Sequence, residues 1–262
     1  MYETILSEAE PGGIRTITLN RPKRLNAMNR QLLDELALAI HEANADENTQ
    51  VIILTGVGRA FCAGDDLNEH VQPENEEVAR EHILAIQRVS ETICFGEKPV
   101  IGAINGWAVG GGFEWAINCD FPIWAESAKA FFPELKWGMF VTGGVTSLLP
   151  ALVGLHAARE MMVFGERYDA RTLFDKGVAW RVVPDSELMS EARVVARKLT
   201  ALSQRSLRAM KRVLNQVASV DLKRSIELET DVTVESFLDP DTTRRITQFS
   251  ETRMARHDGN GA

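Results

Sequence analysis

Short, unbroken apolar runs alternate with helix-length amphipathic stretches up to about residue 185, and amphipathic stretches alone follow. Thr4–Ser7 and Ile14–Leu19 flank Pro11-Gly12-Gly13 and predict a hairpin. Asn29 is placed to cap a helix reaching about Asn44, with Leu32, Leu33, Leu36, Ile40 and Ala43 on one stripe. Val51–Leu54 and Pro99–Ile104 are apolar throughout and predict buried strands. Between them, a polar stretch at 68–75 precedes a helix over about Glu76–Phe95, whose apolar positions are Val78, Ile83, Ile86, Val89 and Ile93. Phe121–Ala125 predicts another short strand. Helices are predicted at 146–153, 159–164 and 170–176, and GVAWRVVP reads as a strand ended by Pro184. Four further helices follow, over about 186–203, 205–219, 221–238 and 241–255, the last opened by Asp239-Pro240-Asp241. The change of pattern divides the chain into an α/β part, 1–185, and a helical part, 186–262, with no linker between them.

Composition narrows the function classes. Apolar residues at 45% are ample for a packed core, and a net charge of −8 argues against a nucleic-acid partner. Any anionic ligand must then find local basic spots. Arg21, Lys23 and Arg24, around Pro22, form one. Cys62, Cys94 and Cys119 are far apart and form no CxxC or Cys/His cluster, so neither a zinc site nor a disulfide framework is indicated. No metal or separate cofactor is expected. The N-terminal residues carry no signal-peptide or transit-peptide pattern, and no apolar run is long enough to cross a membrane. A cytoplasmic protein with no membrane partner is the expectation.

The candidate chemistry lies between Lys98 and Thr146. The strand ending at Ile104 is followed by Gly110, Gly111 and Gly112, and then by the helical run FEWAINC. A glycine turn entering a helix offers unpaired N–H groups and the positive end of the helix dipole to an oxygen that gains charge. The same glycines also suit a plain tight turn. Glu114 lies in the first turn of that helix among Phe113, Trp115, Ala116 and Ile117, and Glu134 follows Pro133 in the aromatic run FFPELKWG. A first-turn Glu is often a solvated partner of the dipole. Two carboxyls in apolar settings beside an oxyanion site form a constellation that such surface roles do not predict.

The run NGWAVGGGFE with CD, the later PE and TGGVT, the opening NRPKRLNAM and the middle GVGRAFCAGDDL resemble the enoyl-CoA hydratase/isomerase (crotonase) family over nearly the whole chain. The resemblance implies a spiral of ββα units with a helical C-terminal section, which packs trimers and stacked pairs of trimers. It implies an acyl-CoA thioester substrate that carries coenzyme A with it, and oxyanion N–H donors at Asp65 and Gly111. It also implies Glu114 as the base on an attacking water and Glu134 as the acid at the α-carbon. The coenzyme A contacts implied are Lys23, Arg24, Leu25, Ala27, Ala63, Gly64, Asp66, Leu67 and Gly110, with Phe249 and Arg253 of the last helix reaching a neighbouring subunit's ligand. The basic residues near Pro22 would approach the phosphates.

Glutamate at both matching positions favours hydration, because the family's double-bond isomerases usually keep only the second carboxylate. Thr142, where the family's dehalogenases carry an aspartate nucleophile, disfavours that chemistry. Some positions depart from the pattern. Thr252 stands in place of a lysine, and Val141 in place of a common proline. Asp65 replaces a small residue. Phe131, Phe132, Lys136, Trp137 and Phe140 are bulky for a straight fatty-acyl pocket. A carnitinyl-CoA dehydratase-like enzyme, another lyase or isomerase of the family, and a non-catalytic acyl-CoA-binding protein remain the alternatives. The Asp65 carboxylate is expected to turn away from the oxyanion, onto loop N–H groups or a basic residue; turned inward, it would instead select a cationic acyl group.

Overall fold

A computed structural model describes residues 2–217 and 222–258, apart from the side chains of residues 216, 217 and 253–258. The chain opens with β1 (Ile5–Glu10), β2 (Ile14–Leu19) and α1 (Arg30–Ala45). Next come β3 (Val51–Gly56), β4 (Ala60–Cys62) and α2 (Glu76–Phe95), then β5 (Val100–Ile104), β6 (Trp107–Val109) and α3 (Gly111–Asn118). β7 (Phe121–Ala125) and β8 (Lys129–Phe131) lead to a 3₁₀ turn at Glu134–Trp137, α4 (Val145–Val153), α5 (Leu155–Phe164), β9 (Tyr168–Asp169), α6 (Ala170–Asp175) and β10 (Arg181–Val183). The chain ends in α7 (Leu188–Thr200), α8 (Gln204–Val217), α9 (Leu222–Leu238) and α10 (Pro240–Asp258).

The strands sort into two sheets. One has the order β1-β2-β3-β5-β7-β10, antiparallel only between β1 and β2. The other has the order β4-β6-β8-β9, antiparallel only between β8 and β9. The unbroken apolar runs of β3 and β5 are buried along their length, as parallel strands covered on both faces require. In the first sheet β3, β5 and β7 are each followed by a short strand of the second, and β3-β4-α2 and β5-β6-α3 are successive ββα turns. This is the crotonase spiral that the resemblance implied. Strands β6, β8 and β9 are two or three residues long and carry no periodic signal of their own.

The helices after residue 185 pack into this spiral. α7 lies on β2, β3, β5 and β7; α9 lies on α2 and α4; α10 lies on α9 and on the turn that begins at Glu134. α8 is anchored by Lys211, whose ammonium donates to the carbonyls of Ile93 and Lys98 (2.8 and 2.9 Å) and pairs with Asp120 at 2.8 Å. A buried cation held by three acceptors is tolerated because no donor is left unmatched. No described helix is long and apolar enough to cross a membrane.

Candidate active site

The site forms where the first turn of α3 meets the end of β4. Gly110 caps α3 at φ +53°, a backbone region that side chains disfavour, and its N–H donates to the carbonyl of Phe131. A side chain there would run into the Glu134 carboxyl. Gly112 is in contact with β4, since any added carbon would fall on the carbonyl of Cys62. Two backbones this close bring the loop after Cys62 beside the N-terminus of α3. The parallel bridge between Met28 and Asp65 uses the N–H of Met28 and of Asp66, which leaves that of Asp65 free. Among the described residues, the N–H groups of Asp65 and Gly111 have no acceptor in the chain. Both residues line an inner cavity of about 40 Å³.

Glu114 and Glu134 line the same cavity, and both are buried. Glu114 accepts from the N–H of Thr142 at 2.8 Å and from its hydroxyl at 2.5 Å. Burial pushes its pKa up, against the Thr142 bonds and with help from Glu229, to about 7. Glu134 begins the 3₁₀ turn, and its Oε2 has no partner among the described residues. Burial first, and the charge of Glu114 second, hold its pKa well above the usual carboxylate range. The two environments therefore differ in kind. Two donors of Thr142 stabilise the ionised form of one carboxyl, whereas the other has only its own backbone N–H to do so.

The segment that carries Thr142 is itself clasped. Gly143 donates its N–H to Gln87 of α2 (2.9 Å), and its carbonyl accepts from Asn118 (2.8 Å). Glu229 of α9 accepts from the N–H of Gly144 (2.6 Å) and from both the N–H and the hydroxyl of Thr146 (2.9 and 2.6 Å). Neither Gln87 nor Glu229 stands out in the sequence. Each looks like an ordinary polar position on an amphipathic helix, and the loop it binds is far away along the chain.

An outer groove of about 1050 Å³ opens from this cavity, and Ala63, Asp65, Val109, Pro133 and Trp137 belong to both. Lys23, Arg24, Leu25, Ala27, Ala63, Asp65, Asp66, Leu67 and Phe249 line the groove, while Gly64, Gly110 and Gly111 line the cavity. The loop that presents Lys23 to Ala27 is held by Leu25 and Asn26, both with φ near +55°. The Asn26 side chain pays for that conformation by accepting from the N–H of Arg21 (2.9 Å) and donating to the carbonyl of Ala60 (2.8 Å). Arg59, Lys136, Arg167 and Arg245 add cations to the groove from four separate segments. They gave no sequence signal because the four segments lie far apart along the chain.

Several expectations need correction. Arg21 does not face the groove with Lys23 and Arg24. Its guanidinium turns inward to the carbonyl of Ala27, to Asp66 (3.1 Å) and to Glu69 (2.9 Å). Asp66 is buried by the same pairing, so only part of it is left to the groove. Phe132 does not narrow the cavity; it is buried against Phe113, ring centroids 4.7 Å apart. Phe131 and Lys136 belong to the outer groove, which leaves Trp137 and Phe140 as the bulky residues of the inner wall. Phe249 reaches the groove of its own chain, because α10 folds back and stacks it on Trp137 at 5.3 Å. The side chain of Arg253 lies outside the described residues. Asp65 turns to a basic residue, as expected, and that residue is His82 of α2, at 3.4 Å.

The enoyl-CoA hydratase/isomerase family model matches residues 9–260 of this chain. Crotonyl-CoA hydratase of Syntrophomonas wolfei is 34% identical over 255 residues, which is 97% of this chain and 97% of that protein. The 1,2-epoxyphenylacetyl-CoA isomerase of Escherichia coli is 34% identical over 238 residues, 88% of this chain and 89% of that protein. An enoyl-CoA hydratase from Mycobacterium avium subsp. paratuberculosis, solved by crystallography, superposes with a TM-score of 0.87 at 25% identity, covering 96% of this chain and 97% of that one. The chain belongs to the enoyl-CoA hydratase/isomerase family.

Proposed function

We propose that this protein is an enoyl-CoA hydratase, adding water reversibly across the α,β-double bond of a 2-enoyl-CoA thioester. The observation that carries the reading is the pair of buried carboxyls in unlike environments, facing one cavity beside two unengaged N–H groups. The thioester oxygen accepts from the N–H groups of Asp65 and Gly111, and these stabilise the charge it gains as the enolate forms. Glu114, kept ionisable by Thr142, takes a proton from water as its oxygen bonds to the β-carbon. Glu134, kept neutral, gives its proton to the α-carbon. Glu114 ends protonated and Glu134 ionised, and the proton returns between them through water in the cavity. Groups whose environments separate their pKa values in this way mark the base and the acid.

In this reading coenzyme A arrives as part of the substrate, and its phosphates lie along Lys23, Arg24 and the other groove cations. The narrow inner cavity, walled by Trp137, Phe140 and Phe237, favours a short acyl group. The relative named crotonyl-CoA hydratase supports the same chemistry. The pairing of Asp65 with His82 offers no uncompensated carboxylate to a cationic acyl group, so the carnitinyl alternative gains nothing from the geometry. The reading extends to a cytoplasmic trimer or dimer of trimers. Exposed apolar residues of α8 (Met210, Val213 and Leu214) are consistent with a covered face. A monomer mass by light scattering would remove that extension and leave the chemistry standing.

A panel of 2-enoyl-CoA thioesters tests the proposal. Loss of enoyl absorbance, with a product heavier by one water, is expected. Double-bond migration without gain of water, or no turnover across the panel, would overturn it.

A further inference from the structure

Asp65 brings a carboxylate to a place where its backbone N–H is needed and its charge is harmful. Its side chain is turned onto His82, with Oδ1 3.4 Å from Nε2. His82 is itself packed against Phe237 of α9, ring centroids 5.6 Å apart, and Phe237 lines the inner cavity. We propose that His82 is a positioning residue of the oxyanion site: as an imidazolium it holds and neutralises the Asp65 carboxylate, so that the Asp65 N–H meets the developing enolate without an opposing charge. This rests on the hydratase reading, because only a reaction that builds negative charge on the thioester oxygen feels the difference.

The surroundings agree. Arg30 of α1, whose charge is felt at His82, is bonded to Asp34 and Glu81, and His70, from the loop before α2, also packs on Phe237, ring centroids 5.5 Å apart. Burial pulls the His82 pKa down and Arg30 adds to that, yet the Asp65 carboxylate outweighs both and leaves it raised above 6.5. His70, without such a pair, is pulled down by burial. With rising pH, His82 therefore loses its proton and Asp65 becomes a lone carboxylate beside the oxyanion. At ~5 Å and an effective dielectric of ~20, that repulsion corresponds to roughly a 250-fold loss in rate.

The test is a double-mutant cycle in kcat and KM, using His82→Gln, Asp65→Asn and the two together on an enoyl-CoA substrate that the wild type hydrates. His82→Gln is expected to lower kcat by roughly a hundredfold or more with little change in KM when Asp65 is present, and less than about threefold in the Asp65→Asn background. An equal cost in both backgrounds, or a wild-type rate for His82→Gln, overturns the proposal, because a residue that merely packs α2 does not care about the charge at position 65. Should His82→Gln not fold, the pH profile decides. Two ionisations close the alkaline side, those of His82 and of the Glu134 acid. Asp65→Asn leaves only the second, so the alkaline limb of kcat becomes a single ionisation; two ionisations persisting in Asp65→Asn, or a single one in the wild type, overturn the proposal. A wild-type protein that hydrates no enoyl thioester fails at the first step, and it is the functional reading that falls.

Discussion

Glu114 and Glu134 share a cavity but not an environment, and their substitutions should separate accordingly. Each Glu→Gln change is expected to lower kcat by ~10²–10⁴ with the thioester still bound, the usual range for loss of a general acid or base. A wild-type rate in either variant removes that residue from the mechanism. Glu114 must be ionised to accept a proton, so kcat/KM of the wild type should fall as pH drops through about 7. The same burial acts on stability. The carboxyl is raised from 4.5 to about 7 on folding, so its contribution is fully present below 4.5 and is lost as pH rises through about 7. At ~1.4 kcal/mol per pH unit the ionised group is a burden of ~3 kcal/mol above that window. Glutamine cannot accept both Thr142 bonds and should recover ~1–2 kcal/mol of that burden. Glu114→Gln is thus expected to melt above the wild type at pH 8 and to lose the advantage near pH 4; an advantage that is the same at both pH values would refute this. Both carboxyls were legible in the sequence because each lies in an apolar run of its own. The partner of Asp65 was not, because it depends on which side of α2 faces the loop, and the spacing of Ile83, Ile86 and Val89 does not resolve one neighbour from the next.

At the scale of elements, α9 is the part of the site that the sequence conceals. Its periodic pattern predicted a helix and nothing more, yet Glu229 satisfies three donors of the segment that orients Glu114. Glu229→Ala should destabilise the fold by ~3 kcal/mol, as buried donors left without an acceptor usually do. It should also lower kcat through a displaced Thr142, although Glu229 does not face the substrate. Loss of stability at an unchanged kcat would show that the loop keeps its shape without the clasp. The second sheet was equally hard to foresee. β3 and β5 announce themselves as unbroken apolar runs. β6, β8 and β9 are too short for any period to appear, and their order comes from the spiral rather than from their own residues. Yet β6 and β8 place Gly110 and Glu134, so the least legible strands carry the most legible chemistry.

For the molecule as a whole, a net charge of −8 and a groove lined by Lys23, Arg24, Arg59, Lys136 and Arg167, with Arg245 paired to Asp241, describe one design. The acids of the groove, Asp65 and Asp66, are each paired, so the local field there is positive on an acidic body. Lys23→Glu and Arg24→Glu should each raise KM about fivefold at low salt, with a much smaller effect on kcat, and the difference should shrink as ionic strength rises. A KM indifferent to both substitutions would move the phosphates elsewhere. Only Lys23 and Arg24 were readable beforehand, because they cluster around Pro22 in a run that resembles the family's opening. The other cations are neighbours in space alone.

The clasp on the Thr142 segment also carries a consequence for how the enzyme comes to life. Glu229 reaches the Gly144 and Thr146 N–H groups across more than eighty intervening positions, a closure that forms slowly compared with the adjacent ββα turns. The spiral, with Trp115 and Trp124 fully buried in it, has what it needs to collapse before α9 arrives. Refolding should therefore restore the emission of the buried tryptophans first and catalysis afterwards, with Glu229→Ala widening the interval. If both signals return together, the helical end is part of the folding nucleus. If they separate, the nascent chain passes through a stage in which its architecture is formed and its chemistry is silent, and hydration begins only when the last stretch of sequence has docked.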